Sequence, residues 1–272
     1  LYDFPWSLDA IRGRIAYRSA EDGFALTSGK LVARVDGLVA EGKLHMNLAQ
    51  DRRLRTWGLV LGAKDFELDA VLPFIPNTVP KTATGWLNEN LLAGRSSTTG
   101  LFVHGSLDRI SPKDEKQYGV QIALENGVIQ YDPDWPVASA TVGQIDVSNK
   151  GIFGEQLVTR LYETAASGVS LAMPFTEAGL LTEVVVQGQV QGPVSDLIRF
   201  FQETPLQGQV KGVADSWTGK GRALGSAKVT VPLDGTIRAP DVSAGLWLDQ
   251  AEIELKDIGL NLTDLRGQFD YE

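Results

Sequence analysis

Apolar and polar residues alternate along most of the chain. The alternation runs through Ile11, Gly13, Ile15 and Tyr17; Leu31, Ala33 and Val35; Leu44, Met46 and Leu48; and Val120, Ile122 and Leu124. It continues through Val169, Leu171 and Met173; Val184, Val186 and Val190; and Ala227, Val229, Val231 and Leu233. A period of two sends successive side chains to opposite faces of a strand, so each run predicts a strand with one greasy and one wet face. Dipeptides that favour tight reversal flank the runs: Asp22-Gly23, Asp36-Gly37, Asn126-Gly127 and Asp234-Gly235. Typical strand and hairpin lengths then predict an antiparallel meander of roughly sixteen to twenty strands.

Two stretches carry a helical period instead. Thr82 to Ala93 places Trp86, Leu87, Asn90 and Leu91 near one face, with Gly94 as a stop. Val194 to Glu203 follows Pro193, presents Leu197, Ile198, Phe200 and Phe201 on a broad apolar face, and ends before Pro205. A weak repeat links Leu8–Tyr17 to Leu262–Tyr271, with Val137–Val147 as an intermediate copy sharing Gly13, Gly143 and Gly267. The expectation is a single domain over residues 1–272, with repeat units near 8–136 and 137–266.

The 29 glycines and 12 prolines are spread along the chain and punctuate many short elements rather than marking one linker. A net charge of −9, with no dense run among 25 basic residues, argues against nucleic acid and against a polybasic membrane footprint. There is no cysteine, hence no disulfide framework and no thiolate site. No apolar run reaches the roughly eighteen residues a membrane helix needs, so no span is expected within this sequence. The chain opens on Leu1 and stops at Tyr271-Glu272 within an alternating segment, which reads as an internal fragment of a longer protein.

Catalytic and metal chemistry find little support. Asp132 and Asp134 are the best paired carboxylates, but flanking prolines make them turn formers, and no third ligand stands nearby in sequence. His45 and His104 sit alone in alternating strands, and Gly219-Lys220-Gly221 lacks the spacing of a phosphate loop. No cofactor, no metal and no enzymatic activity are expected.

Several ordered segments carry a resemblance. Val71 to Leu107 holds a Leu-Pro, a Trp-Leu helix, a Gly-Arg step and a Gly-Xaa-Leu strand; Gln130–Pro136, Val190–Leu206 and Val229–Leu233 follow in order. In this order the chain resembles AsmA-like proteins of the YhdP type, although Arg109–Tyr118 is more charged than the family pattern and Met173–Thr182 only loosely similar. The resemblance implies an all-β fold, a long curled antiparallel sheet (a β-taco or groove) with two short amphipathic helices. It also implies a periplasmic place in a Gram-negative envelope, a parent protein anchored in the inner membrane, and movement of phospholipid toward the outer membrane.

A groove holding acyl chains would be lined by the apolar alternate residues Ile15, Val35, Met46, Ile122, Leu124, Ile145, Leu171, Met173, Val184, Val186, Val190, Val229, Val231, Leu246 and Phe269. Trp86, Leu87, Leu91, Leu197, Phe200 and Phe201 would cap strand ends or plug the groove, capping being preferred. The expected partners are phospholipid acyl chains, the remainder of the parent protein at both ends, and possible envelope proteins. The competing reading is a scaffolding β-repeat with a filled interior that binds envelope proteins through its sheet edges.

Overall fold

The computed structural model describes residues 9–35, 37–70, 81–107, 116–208, 213–233 and 239–271. They form one antiparallel sheet of fifteen strands and two helices. The strands are β1 (Ala10–Arg12), β2 (Ile15–Ala20), β3 (Gly23–Ser28), β4 (Leu31–Val35), β5 (Leu38–Ala49), β6 (Thr56–Glu67), β7 (Leu91–Ser106) and β8 (Gln117–Ile129). They continue with β9 (Ala138–Ser148), β10 (Gly151–Leu161), β11 (Thr164–Pro174), β12 (Glu183–Pro193), β13 (Trp217–Pro232), β14 (Asp241–Leu255) and β15 (Leu260–Tyr271). Helix α1 (Lys81–Asn90) lies between β6 and β7, and α2 (Val194–Glu203) between β12 and β13.

From β5 onward every strand pairs with the next in sequence. Strand β5 is long enough to take two partners end to end, with β4 along Leu38–Gly42 and β3 along His45–Ala49. Among the described residues the count is fifteen, below the expected range, because β5 to β15 run 11 to 16 residues. At about 3.3 Å per residue, strands of that length would span roughly 35–50 Å if flat.

They are not flat. Six non-glycine residues inside strands adopt a left-handed backbone: Asp65, Asn126, Ala140, Gln156, Gln250 and Asp264, with φ between 50° and 55°. Each directly precedes an inward position: Phe66, Gly127, Thr141, Leu157, Ala251 and Leu265. The shifts in pairing register fall at most of these sites, as between Leu124 and Gly127 or Leu248 and Ala251. A bulge of this kind bends its strand and re-aims the next side chain. Together they form a line of bulges across the sheet, on the side nearer the helices, each bending its own strand.

Two expectations are corrected here. Asn126-Gly127 is a bulge within β8 and not a reversal. Helix α1 ends at Asn90, so Leu91 belongs to β7, where it pairs with Ile129 and is not a helical cap or plug. Gly94, expected to stop the helix, lies inside β7 with φ 147°. Helix α2 has the expected bounds. Asp234-Gly235, Asp36 and the segments 71–80 and 108–115 lie outside the described residues.

Candidate functional site: the apolar trough

Register fixes which side chains share the inner face. One cross-strand row runs Ala63, Thr99, Ile122, Ile145, Gly154, Leu171, Val186, Val229 and Val242, unbroken through nine strands. Beside it lies Leu61, Leu101, Val120, Val147, Ile152 and Met173. Neither row contains a charged residue. The intervening positions, such as Gln121 opposite Asp146 or Gln187 opposite Lys228, face outward. At about 4.8 Å per strand the longer row covers roughly 40 Å.

No second sheet covers this face among the described residues, yet its middle excludes water. Ile152, Met173 and Val184 are 0% exposed. The apolar cluster there also takes in Trp135 and Leu206 from two inserted segments and Phe200 and Phe201 from α2. The few polar groups on the inner face near the line of bulges bond to one another: Ser96 Oγ lies 2.8 Å from Thr99 Oγ1, and Thr141 Oγ1 lies 2.8 Å from Thr159 Oγ1. They therefore present no unmet hydrogen bond to an apolar occupant. Tyr118 is different, since its hydroxyl is buried without a partner among the described residues and burial pushes its pKa up to about 12.

Toward the two ends of the sheet the inner face opens. Ile15 is 62% exposed, Tyr17 65% and Phe269 37%. Of the residues expected to line a groove, Ile122, Leu124, Ile145, Leu171, Met173, Val184, Val231 and Leu246 are buried; Met46, Val186, Val190 and Val229 are half-buried. All of these, with Ile15 and Phe269, fall on the inner face by register. Val35 pairs with Leu38, but its side chain, like that of Trp86, is outside the described ones.

Helix α2 lies against the inner face, over β13 above all. Its Val194 and Ile198 form a small cluster with Ala223, Leu248 and Ala251. They reach in close because Gly219 leaves room: a Cβ there would stand 2.6 Å from Ile198 Cδ1 and 2.8 Å from Val194 Cγ1. Phe200 meets the Trp135 ring at 5.4 Å and Phe201 meets Tyr271 edge-on at 4.9 Å. Between α2 and β12–β15 remains an apolar cavity of about 130 Å³, bordered by Leu197, Phe200, Phe201, Val190, Val229 and Leu246. The helix thus packs on the inner face; Leu87 of α1 is buried beside β7.

Polar contacts pin α2 from outside. Asp196, 9% exposed, accepts hydrogen bonds from the Glu163 N–H at 2.9 Å and the Thr164 hydroxyl at 2.8 Å, both at the β10–β11 turn. Arg199 bonds Glu203 at 2.9 Å and stands 4.0 Å over the Tyr162 ring. The Tyr162 hydroxyl donates to Glu203, and burial together with that carboxylate pushes its pKa up to about 12. Asp132 accepts from the Asp134 N–H at 2.9 Å, a turn-forming contact. No group of three or more metal-binding side chains converges among the described residues. Sequence reasoning missed Trp135 and Leu206 as interior residues because their neighbours are loop residues without periodicity.

A one-faced apolar sheet of this length invites comparison with known families. The profile described as YhdP protein matches residues 2–272. The chain belongs to the YhdP family. Among curated proteins it is 21% identical over 263 residues to the intermembrane phospholipid transporter YhdP of Escherichia coli (strain K12), a match covering 94% of this chain. It spans 20% of that YhdP relative's length. No solved structure matches the chain. Membership in the YhdP family agrees with the resemblance carried by the ordered segments, and with an all-β open sheet bearing two helices. No described helix is long and apolar enough to cross a membrane.

Proposed function

We propose that this chain is one segment of a lipid conduit, in which phospholipid acyl chains ride along the inner face while headgroups stay in solvent. The observation that carries the reading is the uncharged row from Ala63 to Val242, which turns one side of nine successive strands into a continuous apolar track. Each methylene moved out of water onto such a track is worth about 0.8 kcal/mol, so a track rather than a pocket keeps the cost of movement low. The proposed lining is the inner-face set, Ile122, Ile145, Leu171, Val186 and Val229 among it, and the chemistry required is burial alone, without a cofactor or catalytic group.

The open ends support continuation. Ile11, Ile15, Tyr17 and Phe269 expose inner-face side chains at the two edges of the sheet, where neighbouring strands of a longer protein would cover them. The chain spans a fifth of its relative, an intermembrane phospholipid transporter. On that basis the segment works in the periplasm, within a protein held at the inner membrane that passes phospholipid toward the outer membrane. Native mass spectrometry of the purified chain, after incubation with phospholipid vesicles, should show bound phospholipid. A folded chain that retains none speaks for the scaffolding reading, which the packed middle of the trough favours.

A further inference from the structure

Resting on the conduit reading, we propose that α2 is a gate across the trough and that the Asp196 carboxylate is its latch. The position of the helix is the first argument. Its Val194 and Ile198 belong to one apolar cluster, while Phe200 and Phe201 pack on the other, so the helix stands between two parts of the interior. The cavity left beneath it, about 130 Å³, is close to the roughly 150 Å³ of an apolar cavity that binds a single benzene. A whole acyl chain does not fit there. A tail passing from β12 to β15 must therefore displace α2.

The floor beneath the helix suits that displacement. It consists largely of small residues, Gly219, Ala223, Gly225, Ala227 and Ala244, which leave a shallow apolar bed once α2 is gone. An incoming tail also replaces the apolar contacts of Leu197, Phe200 and Phe201 with equivalent ones, so those contacts oppose opening only weakly. It cannot replace the bonds of Asp196. That side chain joins the first turn of α2 to Glu163 and Thr164, more than thirty residues away in sequence, and is the buried charged group of the helix. Hydrogen bonds to a charged acceptor are about twice as strong as neutral ones, so the latch sets how often the gate opens. Pro193, with no N–H to tie it to a neighbour, marks the junction between β12 and the helix.

The test places a photoreactive amino acid at Val186, on the near side of α2, or at Leu265, on the far side beside the second cluster. Vesicles of phosphatidylethanolamine and phosphatidylglycerol are the lipid source. In the unaltered latch, label at Leu265 is weak relative to Val186. Thr164→Val, which keeps the Glu163 bond, should raise the Leu265-to-Val186 ratio about tenfold, and Asp196→Ala, which loses both bonds, should raise it further. Hydrogen exchange of the α2 amides should quicken in both, while β8 and β9 stay protected. If Asp196→Ala fails to fold, Thr164→Val carries the test. Label at Val186 with an unchanged ratio, or equal label at both positions before any latch is broken, overturns the gate alone. No label at either position overturns the conduit reading and the gate with it.

Discussion

Tyr118→Phe removes one oxygen from the interior and should make the protein more stable. Tyr118 is 3% exposed, pairs with Val103 on one side, and its hydroxyl meets no hydrogen-bond partner among the described residues. A buried polar group left unsatisfied costs about 1–3 kcal/mol, and that is the gain expected on its removal at pH 8. A second contribution depends on pH. Burial raises the phenol from 10.0 to about 12, so the folded chain holds its proton where the unfolded chain releases it. With the folded value above the unfolded one, the stability is intact below pH 10 and is lost as pH rises toward 12. At pH 11 the phenylalanine variant should gain further over the parent, on the order of 1 kcal/mol. Tyr162 and Tyr131 are raised as well, but both proteins keep them, so they cancel in the difference. Urea unfolding midpoints at pH 8 and pH 11 measure both contributions. A variant less stable at pH 8 would show that the hydroxyl is bonded, and a gap that fails to widen at pH 11 would refute the assigned burial.

Three further outcomes follow from the same geometry. Gly143→Ala should cost about 1–3 kcal/mol, because its φ of 141° suits glycine and a Cβ would press on Leu157, whereas Gly100→Ala, with open space around it, should be near neutral; thermal melts compare them. Leu171→Asp places a carboxylate between Gly154 and Val186 at a position 8% exposed, and should destabilise the fold by about 3 kcal/mol or more in urea titrations. The Glu203 carboxyl is held below its ordinary 4.5 by its bond to Arg199, against a smaller opposing effect of burial, so its contribution is present above that value and fades as pH falls through the lower one. Exchange protection in α2 should therefore weaken in acid before that of the sheet, and Glu203→Gln should reduce the difference.

The faces of the strands were legible in the sequence, but their lengths were not. In β8 the inward positions Val120, Ile122 and Leu124 keep a period of two, and then the left-handed Asn126 shifts the phase so that Gly127 and Ile129 point inward. One thirteen-residue strand thus reads as a short strand followed by a turn. The same phase slip at Gln156 and Gln250 hides the full extent of β10 and β14. Helix α2 was legible because Pro193, its apolar face and Pro205 mark it locally, whereas the end of α1 depends on the long-range pairing of Leu91 with Ile129. The latch was beyond reach for the same reason, since nothing near Asp196 announces Thr164, 32 residues away.

The central claim is that acyl chains travel on one face of the sheet. A photoreactive residue stepped one position at a time along β12, from Val185 to Val190, in the presence of phospholipid vesicles, reads that face directly. Label should appear at Val186, Gly188 and Val190 and be absent at Val185, Gln187 and Gln189, following the inward register. Uniform label at all six positions, or label on the outward set alone, would contradict it.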